Sequence, residues 1–335
     1  MNISVIGSGG FGTTISILLS GKGYHVRLWA NFPELAEKLS RERANPDFLP
    51  GHHIPENILI TNEIGESLEN ADLVVIAIPS SYFRQVLKKF CPYISRFDKK
   101  LFLSLTKGIE EGTCKLPSEV FREEFGTDLS KNFYCLSGPN LALEIAGGVP
   151  TSAVIAGSCQ EHLETLQSVI SNDKFRIYTN NDQIGVQVGG AFKNVIAIAA
   201  GICDGLSFGL NTKSSLITRG LAEIIRLGVE MGALPHTFYG LSGMGDLVAT
   251  SFSPLSRNRT FGERIGRGEK VEEIIGGTKM VIEGVTNAKS FYELSRKLDV
   301  EVPITEKVFE IIYKGSSPVQ AVSELMTRKL KVEIY

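Results

Sequence analysis

Through the first half of the chain, short runs of β-branched and other apolar residues alternate with stretches whose apolar positions recur every three to four residues. Ile3–Ile6, His25–Trp29, Leu73–Ile78, Lys100–Leu105, Phe133–Leu136, Ser152–Ala156 and Phe175–Tyr178 are the predicted strands. Between them Phe11–Gly21, Pro33–Arg43, Ser81–Phe90, Leu116–Phe125 and Gln160–Ile170 have helical spacing. Such alternation predicts βαβ units feeding a mostly parallel sheet. From about Gln183 the β-runs cease, and Gln183–Cys203, Ser215–Met231, Ser256–Arg267, Ala288–Lys297 and Thr305–Tyr313 read as helices. The change of pattern predicts two domains, 1–182 and 183–335. Clusters of Pro, Gly and Ser predict loops at Asn45–Pro55, Ser137–Pro139 and Gly240–Asp246.

A length of 335 residues suits two such domains, and a net charge of −2 leaves no basic footprint for nucleic acid. Five cysteines without a CxxC spacing predict reduced thiols in a cytoplasmic protein. Five histidines without HExxH give no expectation of a metal. Glycines stand where a signal peptide would be apolar. Gln183–Cys203 is the most membrane-like stretch, but its central Lys193 would cost an inserted helix about 2.5–3.5 kcal/mol. A buried helix of a soluble protein, with no membrane insertion, is the expectation.

The predicted first strand runs directly into Gly7-Ser8-Gly9-Gly10-Phe11-Gly12 and then into a helix. This strand–GxGxxG–helix order fits a dinucleotide pyrophosphate: Gly7 permits a tight turn, Gly9 lets the phosphates approach the backbone, and Gly12 allows close helix–strand packing. The second strand ends in Trp29-Ala30-Asn31, with no acid before Glu34 to select the ribose 2′-hydroxyl or repel a 2′-phosphate. Neutral Asn31 suits either, so both NADP(H) and NAD(H) are expected.

Lys193 is the only charge between Asp182 and Asp204. On a helix its neighbours are Gly189, Gly190, Ala197 and Ala200, small residues expected to leave a groove for a ligand beside the amine. Burial disfavours an ammonium, which would make this lysine a usable general base. A snorkelling or salt-bridged lysine at the domain junction is the alternative. Asp246, after a glycine-rich turn, is a candidate partner for the amine or else an exposed turn residue. Ser256-Arg257-Asn258-Arg259 gathers phosphate-suited groups at a predicted helix start, or forms a solvated basic face. With helical geometry Arg259 lies roughly 200° around the axis from Arg257 and points elsewhere.

Eight blocks then carry a resemblance: I-G-S-G-G-F-G-T-T at the start, A-I-P-S at Ala77–Ser80, T-K-G at Thr106–Gly108, S-G-P-N at Ser137–Asn140, Q-V-G-G-A-F-K-N-V at Gln187–Val195, L-I-T-R-G at Leu216–Gly220, G-M-G-D-L at Gly243–Leu247 and S-R-N-R at Ser256–Arg259. In this order they resemble the NAD(P)-dependent glycerol-3-phosphate dehydrogenases of bacterial type. The resemblance implies a Rossmann-type doubly wound α/β sheet followed by an all-α C-terminal domain, usually in a homodimer. It implies a cytoplasmic enzyme of glycerophospholipid synthesis that interconverts dihydroxyacetone phosphate and sn-glycerol 3-phosphate.

By position, Lys193 matches the family's catalytic lysine, with Asp246 expected to orient it. Lys107, Gly138, Asn140, Asp246, Ser256, Arg257 and Asn258 match substrate positions. Gly10, Phe11, Asn31, Lys107, Ala142, Arg257, Val281 and Glu283 match cofactor positions. Asn140 stands where bacterial members usually have Ser or Thr, and Asn31 where many have Arg or His. Two other readings compete: a related Rossmann-plus-helical dehydrogenase acting on a β-hydroxyacid, and a non-catalytic NAD(P) sensor.

Overall fold

The structure is a computed structural model that describes residues 1–96, 99–278, 280–330 and 332–333. Ten strands are formed among them: β1 Asn2–Ile6, β2 His25–Trp29, β3 Ala44–Asn45, β4 Leu49–His53, β5 Ile58–Thr61, β6 Leu73–Ile76, β7 Leu101–Ser104, β8 Phe133–Ser137, β9 Thr151–Ala156 and β10 Phe175–Asn180. The helices of this half are α1 Gly10–Gly21, α2 Pro33–Glu42, α3 Ile64–Leu68, α4 Phe83–Lys88, α5 Pro117–Ser130, α6 Ala142–Ala146 and α7 Gln160–Ile170. Those of the second half are α8 Gln183–Gly205, α9 Leu210–Glu230, α10 Asp246–Phe252, α11 Arg257–Gly266, α12 Val271–Gly276, α13 Glu283–Lys297, α14 Pro303–Lys314 and α15 Pro318–Met326.

Eight strands make one sheet in the order β10-β9-β8-β7-β6-β1-β2-β5. All its pairs are parallel except β8 with β9. Alternation along the strands explains why both faces are covered. On β1 the side chains of Ile3 and Val5 enter one core and Ile6 the other; on β6 Leu73 and Val75 oppose Val74 and Ile76. The chain leaves β1 in one direction to β2 and β5, then returns to β6 on β1's other side. Ligands of open α/β sheets bind outside the carboxyl ends at such a reversal of strand order.

The second half is helical and built around α8, which is apolar, long enough to span a bilayer and buried in protein from Gly185 to Cys203. Asp182 caps its first turn by accepting from the Gly185 N–H at 2.8 Å. Helices α9, α10, α11, α13 and α14 pack around it. The contact with α11 is backbone to backbone. A Cβ on Gly201 or Gly205 of α8 would run into the Arg259 or Glu263 carbonyl, and one on Gly262 or Gly266 of α11 into those of Ile198 or Ile202. Four glycines, spaced four apart on each helix, let the axes meet without intervening side chains.

Three expectations need correction. Asn45–Pro55 is not simply a loop: β4 lies within it and pairs with β3, at its start, as an antiparallel ribbon. Gly240–Asp246 is not an open turn but a wide helical turn, Leu241–Gly245, that leads directly into α10. The small residues beside Lys193 do not line an open groove. A Cβ on Gly189 would lie 2.6 Å from the Ser242 carbonyl, and one on Gly190 would strike the Ser137 hydroxyl. These glycines admit neighbouring protein rather than ligand.

Gly201→Ala should therefore lower stability by about 1–3 kcal/mol, the usual cost of forcing a methyl into a packed contact. Gly276→Ala, at a helical glycine with open space around it, should be neutral or gain about 0.5–1 kcal/mol. Urea midpoints of the two variants, measured side by side, check the contrast.

Candidate active site

The turn between β1 and α1 lies at the strand-order reversal. Gly7 has φ +113°, and a Cβ there would lie 2.5 Å from the Ala77 carbonyl at the end of β6. A side chain on Gly12 would strike the Gly7 carbonyl, and one on Gly10 would come within 2.7 Å of the Phe48 carbonyl. Only Gly9 of this set faces open space. The backbone at Gly9 and the free N–H groups of the first turn of α1 are thus the approachable part, as an anion site requires. Asn45 braces the turn: its Nδ2 donates to the Ser8 carbonyl and to Thr13 Oγ1, both at 2.8 Å. Ala142 opens α6 beside it, and its carbonyl accepts from Thr14 Oγ1 at 3.2 Å. Phe11 packs partly into the sheet core.

At the junction of the halves Asp246 is 1% exposed and holds a lysine on each carboxylate oxygen. Lys193 Nζ donates to Oδ1 and Lys107 Nζ to Oδ2, each at 2.6 Å. Lys193 also donates to Thr250 Oγ1. Lys107 donates to the Gly138 carbonyl at 2.8 Å and to Asn140 Oδ1. All three ammonium hydrogens of Lys107 are therefore committed, whereas Lys193 keeps one to offer. Burial acts to raise the Asp246 carboxyl, but the two lysines outweigh it and hold the group below its ordinary value. Burial pushes Lys107 down to about 7, against the pull of Asp246 and with Lys193 adding to the fall.

The sequence folds this way because each partner is fixed independently. Lys107 follows β7 in the loop after Ser104, and its carbonyl accepts from Asn194 of α8 at 3.1 Å and Asn287 of α13 at 3.4 Å. Gly138 has φ +136°, and a Cβ there would meet Ala153 Cα at 2.9 Å, so the S-G-P-N loop turns where only glycine fits. Asn140 presents a buried Nδ2 with no partner, and Ser137 a buried hydroxyl likewise. Both are donors left free next to the lysines.

Ser256 caps α11 by accepting from the Arg259 N–H at 3.2 Å. Arg257, exposed at the first helical position, donates to the Val281 carbonyl at 2.8 Å. Asn258 is turned inward, giving Nδ2 to Asn194 Oδ1 at 2.8 Å and receiving the Gly284 N–H at 2.9 Å. It ties α8, α11 and α13 together. Arg259 points away, onto Asp204 and Glu263. Glu283 crosses to the first half, accepting from the Ser80 N–H at 3.0 Å and from its hydroxyl at 2.6 Å. Burial raises the Glu283 carboxyl, against the pull of Ser80 and Arg257.

Asn31 lies at the end of β2, apart from the lysine pair, and its Oδ1 accepts from Lys89 Nζ at 2.8 Å. Sequence reasoning missed Lys89, Asn45, Ser137 and Thr250. Thr250 alone had a signal, since it lies one helical turn beyond Asp246.

Comparison with known proteins agrees with this architecture. The family model for the NAD-dependent glycerol-3-phosphate dehydrogenase N-terminus matches residues 2–163, and that for the C-terminus matches 182–323. The chain is 45% identical over 331 residues to a glycerol-3-phosphate dehydrogenase (NAD(P)+) of Citrifermentans bemidjiense, covering 99% of this chain and 98% of that protein. A Streptomyces griseus protein of the same name is 44% identical over 98% of this chain and 97% of its own length. Among solved structures, glycerol-3-phosphate dehydrogenase (gpsA) from Coxiella burnetii superposes with a TM-score of 0.93 at 35% identity, covering 98% of this chain and 99% of that one. On matches that span both halves, the chain belongs to the NAD-dependent glycerol-3-phosphate dehydrogenase family.

Proposed function

We propose that the chain interconverts dihydroxyacetone phosphate and sn-glycerol 3-phosphate, with residues 1–182 holding NADP(H) or NAD(H) and 183–335 supplying most of the substrate site. The observation that carries this reading is the Asp246 carboxylate bridging Lys107 and Lys193 at the junction of the halves. The open backbone at Gly9 and the unshared N–H groups of α1 fit a dinucleotide pyrophosphate. A bound nicotinamide supplies or accepts the C2 hydride.

In reduction Lys193 gives its uncommitted proton to the C2 oxygen, and in oxidation it takes that proton back. Asp246 and Thr250 fix where the amine points. While Lys107 is protonated, two lysines against one carboxylate leave a net positive charge, which stabilises the oxygen as negative charge develops on it. The free Nδ2 of Asn140 donates to a substrate oxygen. Arg257, the Ser256 hydroxyl and the α11 N-terminus hold the phosphate. The inward-turned Asn258 supports that site through the helices it joins. A β-hydroxyacid would need a carboxylate clamp instead, and the family match favours the phosphorylated substrate. The same likeness supports a cytoplasmic homodimer that supplies phospholipid synthesis.

The direct test is turnover of dihydroxyacetone phosphate with reduced nicotinamide cofactor, followed at 340 nm. Lys193→Ala should lower kcat by about 10²–10⁴ while nucleotide binding survives. Near-normal kcat would remove Lys193 from the reaction.

Arg257→Ala should impair use of dihydroxyacetone phosphate far more than that of unphosphorylated dihydroxyacetone, since only the former offers the dianion. Arg259→Ala should lower thermal stability through its lost pairs with Asp204 and Glu263 and leave the phosphate preference intact. Comparing kcat/KM for the two substrates decides whether the phosphate is rightly placed.

Lys107 is charged below about pH 7 and loses its charge above it. Phosphate monoesters are already dianionic there, their second pKa being about 6. The substrate's own charge is then constant, so loss of the Lys107 charge beside the reacting oxygen should lower kcat as pH passes 7, and Lys107→Met should lower kcat at all pH values and flatten the profile. A kcat independent of pH from 6 to 9 in the unmodified protein would argue against this role.

A further inference from the structure

The end of β2 lacks the acid that would select a ribose 2′-hydroxyl, and Asn31 alone carries no charge to attract a phosphate. The fold makes good this lack from elsewhere. Lys89 follows α4, distant in sequence, and its exposed side chain reaches across to Asn31, donating to Oδ1 at 2.8 Å. The same ammonium lies 5.1 Å from the ring centre of Trp29, the last residue of β2. Two independent contacts thus hold a cation over the β2 terminus. Trp29 is itself fixed, buried with its Nε1 donating to the Asn62 carbonyl at 2.8 Å.

We infer that Lys89 is the residue by which this chain recognises the 2′-phosphate of NADP(H), with the Asn31 amide as its partner. The inference rests on the dinucleotide reading of the glycine turn. With Oδ1 occupied by the lysine, Asn31 turns its Nδ2 hydrogens outward as donors. A charged donor and an amide donor then stand side by side at the end of β2. Neither group repels a 2′-hydroxyl, so NAD(H) is also accepted, and Lys89 sets the ratio between the two cofactors. Because the ammonium is exposed, the preference for the phosphorylated cofactor weakens with salt.

Binding of 2′,5′-ADP, 5′-AMP, NADP+ and NAD+ to the full chain, measured by titration calorimetry, tests this without any turnover. Trp29 is the only tryptophan, so its emission excited at 295 nm reads occupancy beside Lys89 independently. Lys89→Met should weaken 2′,5′-ADP and NADP+ about ten- to hundredfold, the range for one hydrogen bond to a charged group, and leave 5′-AMP and NAD+ within about twofold. Lys89→Glu should go further and favour NAD+. Equal losses for phosphorylated and unphosphorylated ligands, or none for either, would overturn the assignment to Lys89. NAD+ binding without NADP+ binding in the unmodified chain would overturn it too. Failure of the unmodified chain to bind any of the four would instead remove the dinucleotide reading on which it rests.

Discussion

Asp246 sits between two lysine ammonium groups in a space nearly closed to water, and much of the site's arrangement follows from that. Burying an ion costs several kcal/mol unless partners recover it, and here recovery needs groups from distant parts of the chain. The T-K-G loop brings Lys107, α8 brings Lys193, α10 brings the carboxylate and Thr250, and the S-G-P-N loop brings the carbonyl and amide oxygens that complete Lys107. Removing any one of these leaves a buried charge short of a partner. The same constraint distinguishes the lysines in geometry, because the protein takes up every hydrogen of Lys107 but only two of those of Lys193.

The two halves are joined around this cluster rather than merely abutting. The Lys107 carbonyl is gripped by Asn194 and Asn287, the Ser118 N–H by Gln187 at 3.0 Å, and Ser80 by Glu283. Each bond pairs a loop or helix start of the sheet half with a buried or half-buried side chain of the helical half. The carboxyl ends of β1 and β6, where the glycine turn lies, are thereby set in fixed relation to Lys193. In the proposed reaction, these bonds are what would bring a dinucleotide at that turn and a substrate at α11 together at the lysine.

Sequence patterning revealed the alternating half, the glycine turn and the isolated lysine, since each rests on local periodicity or on a charge among apolar neighbours. It misread features in which glycine serves close packing. The G-L-S-G-M-G-D segment reads as a turn, yet Gly243 is there because a Cβ would strike the Phe238 carbonyl. Gly189 and Gly190 read as a ligand groove for the same reason. Strand β5 was missed although β6 and β7 are just as short: at the sheet edge it lacks their fully buried run, and its Leu59 is exposed. Asn45 and Lys89 gave no signal at all, because only the folded sheet brings them to Ser8 and Asn31.

The glycine-on-glycine crossing of α8 and α11 has an implication for how this protein can change. Lys193 rides on one helix and Arg257 on the other, and no flexible side chain at those four positions absorbs a shift between them. The crossing then works as a ruler, setting the span between the lysine proposed to move a proton and the arginine proposed to grip a phosphate. Ordinary core substitutions cannot recalibrate it by small steps, because the first methyl group added already forces the backbones apart. Adaptation to a longer or shorter substrate would more readily come from the surrounding loops than from the helices that carry the site.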